Sequence, residues 1–170
     1  MLGFLFRTLT ADTSGSAALF DAITAKAREP HWYVEGKVPD TIDGRFAVLT
    51  TIASLVLVRL EQLGDAGSAA SVALTERFIE VMESEHRELG LGDPTLGKTV
   101  RKLVGLLGRR TELWRSTVAG DRQWPEATRD SLYDEGISAD ALRHSSEALN
   151  VIWTKLQPLG LAELRHGKLQ

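Results

Sequence analysis

The chain contains no cysteine. Disulfide scaffolds, thiolate zinc sites, iron–sulfur ligation and thiol catalysis are therefore excluded together. The lack of cysteine fits a reducing compartment without fixing one. Long apolar runs are also missing. The longest covers residues 52–58, with Ser54 inside it and Arg59 closing it, far short of the roughly 20 residues that a membrane span needs. Neither sign of charge dominates, since 20 basic against 23 acidic residues leave a formal −3. That balance excludes a globally basic nucleic-acid binder, and specific DNA binding is not expected, though a local basic face stays open. Proline is scarce, at five residues, and aromatics make up 6%. Alternating strand patterns, repeats and low-complexity linkers are absent.

What remains is an ordinary globular composition, 43% hydrophobic and 25% charged over 170 residues. That suits one compact domain with a core of its own. The N-terminus, Met1-Leu2-Gly3-Phe4-Leu5-Phe6-Arg7, lacks the leading positive charge and the cleavage site of a signal peptide and the Arg- and Ser-rich composition of a transit peptide, so neither is expected. Two readings of it stand: a tail docking Phe4 or Phe6 on the core, or a weak membrane-surface anchor.

The periodicity predicts an all-α bundle of five to seven helices, occupying residues 14–157 between an N-terminal tail (1–13) and a C-terminal tail (158–170). A first helix follows Ser14, with Ala17, Phe20, Ile23 and Ala27 at helical spacing, and stops at Pro30. Residues 31–39 read as an extended loop. Asp40-Thr41 offers an N-cap, with Asp43 near the positive end of the helix dipole. The helix that follows is apolar nearly all round and ends at Gly64. A third covers 68–89, with Val72, Phe78, Ile79 and Met82 inward. Asp93 as N-cap and Pro94 as first helical residue open a fourth, which ends at Gly120. A short helix from Trp124-Pro125 and a sixth capped by Ser138 complete the bundle, and the tail after Pro158 has room for a short helical turn.

Charge is unevenly placed. Residues 76–93 carry a formal −4 and residues 94–118 a formal +5. Two readings are open: neighbouring helices with solvated, mutually attractive faces, or a basic stripe offered to RNA, lipid headgroups or an acidic peptide.

Three motifs suggest chemistry. Gly92-Asp93-Pro94-Thr95-Leu96-Gly97-Lys98-Thr99 satisfies the phosphate-loop expression, with Lys98 and Thr99 in the phosphate and magnesium positions of a nucleotide hydrolase. That chemistry needs a buried strand before the loop, and here the preceding residues are acidic and helical. Glu-x-x-His occurs twice, at Glu83/His86 and Glu163/His166. A di-iron bundle uses two such motifs and two further carboxylates facing inward. His86, however, lies among charged neighbours and His166 in the terminal tail. His144-Ser145-Ser146, near Asp140 and Glu147, contains the residue types of a serine triad but no G-x-S-x-G turn. A Gly-rich turn, chance spacing and a solvated helix face account for the three, so no catalytic residue, metal or other cofactor is expected.

Two segments carry a resemblance. The first is Val38-Pro39-Asp40-Thr41-Ile42-Asp43-Gly44-Arg45-Phe46, followed by an apolar helix ending in Arg59-Leu60. The second is Met82-Glu83, then Arg87-Glu88-Leu89-Gly90-Leu91-Gly92-Asp93, then Lys98 and Gly108-Arg109. In order and spacing they resemble the ubiquinol–cytochrome c chaperone family, whose pattern reads V-P-D-T-x-D-G-R-F and then R-E-M-G-V-G-D, a basic helix and G-R. The resemblance spans residues 27–119, and little of it lies beyond Gly120. Ala47 and Ile52 stand where more polar residues are typical, and Leu89 replaces Met.

The resemblance implies a non-enzymatic assembly chaperone for newly made cytochrome b in the cytochrome bc complex (complex III). The implied partners are the cytochrome b polypeptide, the ribosome and a small co-chaperone, with peripheral membrane contact. For this short chain it implies a bacterial relative at the cytoplasmic face of the inner membrane. A lipid- or quinone-binding helical module is the alternative. Asp40, Asp43, Arg45, Arg87, Glu88 and Asp93 fall around two loops, either as an ion-pair network that locks them or as a partner-binding edge. Lys98, Arg101, Lys102 and Arg109 are candidates for electrostatic contact with ribosome, lipid or client. Trp32 and Tyr33 are candidate anchors, as is Trp114, for which core packing is the stronger reading.

Overall fold

The computed structural model describes residues 13–90 and 92–169. The N-terminal apolar segment lies outside the described residues, as do Leu91 and the side chain of Asp93. The described residues form eight helices and no strand: α1 (Thr13–Ala27), α2 (His31–Val34), α3 (Ile42–Glu61), α4 (Gly64–Glu88), α5 (Asp93–Ala119), α6 (Trp124–Leu132), α7 (Ala139–Leu156) and α8 (Leu161–Arg165). Six are substantial helices, and α2 and α8 are single turns.

The apolar run over residues 52–58 lies within α3, and α3 organises the rest. Thr41 caps it by accepting from Gly44 N at 3.1 Å, and Asp43 lies in its first turn. Val48, Ile52, Leu55, Val56 and Leu60 are fully enclosed, so beyond its exposed first turn α3 is covered on all sides, as a stretch without a polar stripe must be. Its buried hydroxyls are satisfied within the helix: Thr50 donates to Phe46 O, Thr51 to Ala47 O and Ser54 to Thr50 O. Those small polar residues let α5 approach closely. Thr111 donates to Ser54 at 3.3 Å, and Arg110 donates to Thr50 at 2.5 Å. With Arg115 on Glu61 farther along, these contacts make α5 run parallel to α3. The antiparallel α4 lies beside both, and Phe78 packs against Phe20 of α1 and Phe46 of α3.

Local chemistry places the ends. Gly120 takes φ +92° and closes α5, with Asp121 N donating back to Ser116 O. Ser138 caps α7 through Ala141 N at 3.3 Å. At the far end of α3, Arg59 donates to the Leu156 and Leu159 carbonyls, a cation on the last turn of α7. Beyond Pro158 the chain folds back onto α1, where Leu164 and Leu169 are buried.

Three expectations need correction. Residues 31–39 do not start extended. Pro30, at φ −60°, is already in the helical region and accepts from Tyr33 N and Val34 N, so α2 forms and carries Trp32 inward. α4 begins at Gly64 rather than residue 68, and Val72 is 58% exposed. Its buried line is Ala70, Leu74, Phe78 and Met82, an i,i+4 series that leaves Val72 on the opposite face. The N-cap of α5 is Gly92, not Asp93: Gly92 has extended ψ 157° and its carbonyl accepts from Leu96 N at 2.8 Å.

Candidate partner-binding surface

Trp32, Tyr33, Asp40, Asp43 and Arg45 come from the α2–α3 connection, and the structure separates them by role. Trp32 is fully buried and donates Nε1–H to Lys26 O at 2.9 Å. It is therefore a core residue and offers no ring to a partner. Tyr33 is half-buried and donates to Ala27 O at 2.7 Å. Burial pushes its hydroxyl pKa up, with Arg45 and Asp40 near enough to act on it. Asp40 accepts from Arg45 Nε at 2.6 Å, and both are exposed. The hydrogen bond from Arg45 holds the Asp40 carboxyl below its usual range and raises the guanidinium in return. Asp43 is exposed in the first turn of α3, beside Ile42, which is 76% exposed; Val34 next to Tyr33 is 56% exposed. The connection thus presents two bare aliphatic side chains among five exposed charges, Glu35, Lys37, Asp40, Asp43 and Arg45.

The same connection is held from behind by residues that local pattern could not reveal. Tyr133 donates to Gly36 O at 2.5 Å and lies 2.7 Å from Ser145 Oγ. A phenol has one hydrogen, and the carbonyl can only accept, so Ser145 donates to Tyr133. Burial raises the Tyr133 pKa, and the Ser145 bond opposes that. Next to this, Glu29 accepts from His31 Nε2 at 3.2 Å, and His31 Nδ1 meets His144 Nε2 at 3.0 Å. The Glu29 carboxylate can only accept, so His31 Nε2 carries a hydrogen, and the ring tautomers set the direction of the His31–His144 bond. Burial works to raise the Glu29 carboxyl, but bonds from Lys26 and His31 together leave it lowered. Tyr133 carries no local signal, and His144 and Ser145, which stand out in sequence only as triad-like residue types, hold the loop through the packing of α6 and α7 against it.

Of the two readings for Asp40, Asp43, Arg45, Arg87, Glu88 and Asp93, an ion-pair network or a partner-binding edge, a network linking Arg87 and Glu88 to the α2–α3 residues does not form among the described residues. Arg87 and Glu88 are exposed at the end of α4, and among the described residues Asp40–Arg45 is the ion pair that forms in this set. Lys98, Arg101, Lys102 and Arg109 are all exposed along α5 and form no ion pair among the described residues. Trp114 is fully buried against Trp124. Arg110, by contrast, enters the bundle and donates to Thr50 and to Ser131 O. Burial lowers its pKa.

The three chemical motifs have structural explanations. The phosphate-loop match is helical from Asp93 onward and follows helix α4 rather than a strand, so its amides point along a helix and form no phosphate cradle. His86 and His166 each hydrogen-bond a carbonyl four residues earlier, Met82 O and Ala162 O. No three metal-ligating residues converge among the described residues. His144 and Ser145 face different partners and form no nucleophile–base pair. Among the described residues, no helix is long and apolar enough to cross a membrane.

The fold and this surface define a single-domain helical protein whose distinguishing features are exposed edges, not an enclosed site. Three comparisons place it. The family described as ubiquinol-cytochrome C chaperone matches residues 34–151, and the chain belongs to that family. The match reaches through α6 and most of α7, beyond the motif-rich part. The crystal structure of the Cbp3 homolog from Brucella abortus aligns with a TM-score of 0.76 and 25% identity, covering 98% of this chain and 94% of that one. No curated protein matches.

Proposed function

We propose that this chain is a non-enzymatic assembly chaperone that binds newly made cytochrome b and assists assembly of ubiquinol–cytochrome c reductase. The family match over residues 34–151 carries this reading. In it, the protein works peripherally at the cytoplasmic face of a bacterial inner membrane, alongside the ribosome and a small co-chaperone. The α2–α3 edge is the client contact. Val34, Ile42 and Tyr33 meet apolar client surface, while Asp40, Asp43 and Arg45 meet the polar ends of its helices. Arg87, Glu88 and Asp93 extend that edge toward the α4–α5 turn. The reading needs no bound cofactor and no catalytic residue.

The test is a gene deletion combined with crosslinking capture from membranes. The deletion lowers membrane-bound cytochrome b while other haem proteins persist, and the tagged chain recovers the cytochrome b polypeptide. Normal complex III in the deletion strain refutes the proposal.

A further inference from the structure

We propose that the outer face of α5 is a docking surface for an anionic lipid bilayer, formed by Lys98, Arg101, Lys102 and Arg109. The helix register puts these four together. At about 100° per residue they fall within an arc of about 100° on α5. That arc lies opposite the buried line of Leu96, Val100, Leu107 and Trp114, so the cations point directly away from the core. They extend over about 16 Å at 1.5 Å per residue. Gly105 sits in the middle of the arc, and the Arg109 guanidinium lies beside it, 3.5 Å from where a Cβ would be. A side chain there would have separated the three N-terminal cations from Arg109.

The acidic half of the hairpin does not neutralise this stripe. Glu76, Glu80 and Glu83 lie on the outward side of α4, opposite Phe78 and Met82, and no ion pair joins them to the α5 cations among the described residues. The net −3 is no obstacle at short range, because charges beyond about 8–10 Å are screened at physiological salt.

Two observations favour a bilayer over nucleic acid. The stripe has no aromatic side chain on which bases could stack. Leu89, 69% exposed at the tip of the same hairpin, adds an apolar contact that lipid rewards and a phosphate backbone does not. A straight row of lysines and arginines on one helix suits a plane of headgroups, where each cation adds to the attraction. This inference rests on the assembly reading only for why a membrane is the partner; vesicle binding is measured without client or complex III.

The experiment sediments the purified full-length chain with phosphatidylcholine vesicles with and without phosphatidylglycerol, at low and physiological salt. The wild type binds only the anionic vesicles and releases as salt rises. The triple variant Lys98→Gln, Arg101→Gln, Lys102→Gln, shown folded by circular dichroism, binds about 100-fold more weakly. Glu80→Gln with Glu83→Gln binds at least as well as the wild type. The proposal is overturned if the wild type ignores anionic vesicles at low salt, or if the triple variant binds like the wild type. It is also overturned if polyuridylate or a duplex RNA is bound and vesicles are not. A deletion strain with normal complex III leaves vesicle binding standing, and absence of vesicle binding leaves the assembly reading standing.

Discussion

Tyr133 donates its phenolic hydrogen to the carbonyl of Gly36 across 97 residues of sequence. That bond ties the end of α6 to the connection presenting Asp40 and Arg45, and Ser145 of α7 completes it. Replacing Tyr133 by Phe leaves a buried carbonyl and a serine hydroxyl without their partner. A loss of about 1–3 kcal/mol is expected, read as a lower urea midpoint with unchanged slope. The sign at alkaline pH follows from the raised Tyr133 pKa. The hydroxyl's stabilisation is complete below the unfolded tyrosine pKa and is lost as pH rises through the folded one. The gap between wild type and Tyr133→Phe therefore narrows in strong base.

Glycines at Gly36 and Gly108 respond in opposite directions. A Cβ on Gly36 would lie 2.5 Å from Ser145 Oγ and 2.6 Å from Trp32 O. Ser145 is held by Tyr133 and the carbonyl is backbone, so neither can move away. Gly36→Ala costs about 1–3 kcal/mol by overpacking. At Gly108, inside α5, a Cβ meets nothing within 4 Å, and Gly108→Ala adds about 1 kcal/mol through helix propensity. Thermal melts of the two variants move apart in opposite directions from the wild type.

Asp40 and Arg45 are exposed partners, and exposed pairs contribute little to stability. Asp40→Asn together with Arg45→Gln leaves the melting temperature unchanged. Under the proposed function the same variant recovers less cytochrome b in crosslinking capture. Unchanged recovery removes this edge from the client contact.

Glu29 titrates below its ordinary range because Lys26 and His31 outweigh its partial burial. A lowered folded pKa stabilises above the unfolded value, and that contribution is lost as pH falls through the folded one. Glu29→Gln is therefore less stable than wild type at neutral pH, and the two converge in acid. Urea midpoints at neutral pH and near pH 3 test this.

Much of this architecture was legible from short-range chemistry. Thr41, Gly120 and Ser138 end or begin helices through contacts within a few residues. The V-P-D-T segment and the R-E-L-G-L-G-D turn carried the family. What stayed hidden depends on contacts between distant segments. Trp32 sits in a short, charged, proline-bounded stretch and reads as surface until α2 turns it back against the end of α1, where its indole donates to Lys26 O. Val72 fits an apolar period but faces outward, because Ala70 and Leu74 already occupy the inward line. The Tyr133–Gly36 and His31–His144 bonds join elements about a hundred residues apart, where no local spacing points. The charge split was visible as composition, but only the placed helices show that no ion pair joins the two signs among the described residues.

The enclosure of α3 beyond its first turn also sets where the molecule can yield. With hydroxyls satisfied internally and neighbours on every side, that stretch cannot open without unfolding the whole domain. The α4–α5 hairpin differs: past Met82 its residues are largely exposed, so fraying there costs little buried area. Amide hydrogens in residues 51–60 of α3 exchange at the rate of global unfolding, while those around residues 83–90 exchange through local opening. Partners that engage the hairpin tip therefore meet the part of the fold that can adapt, and α3 stays fixed as they do.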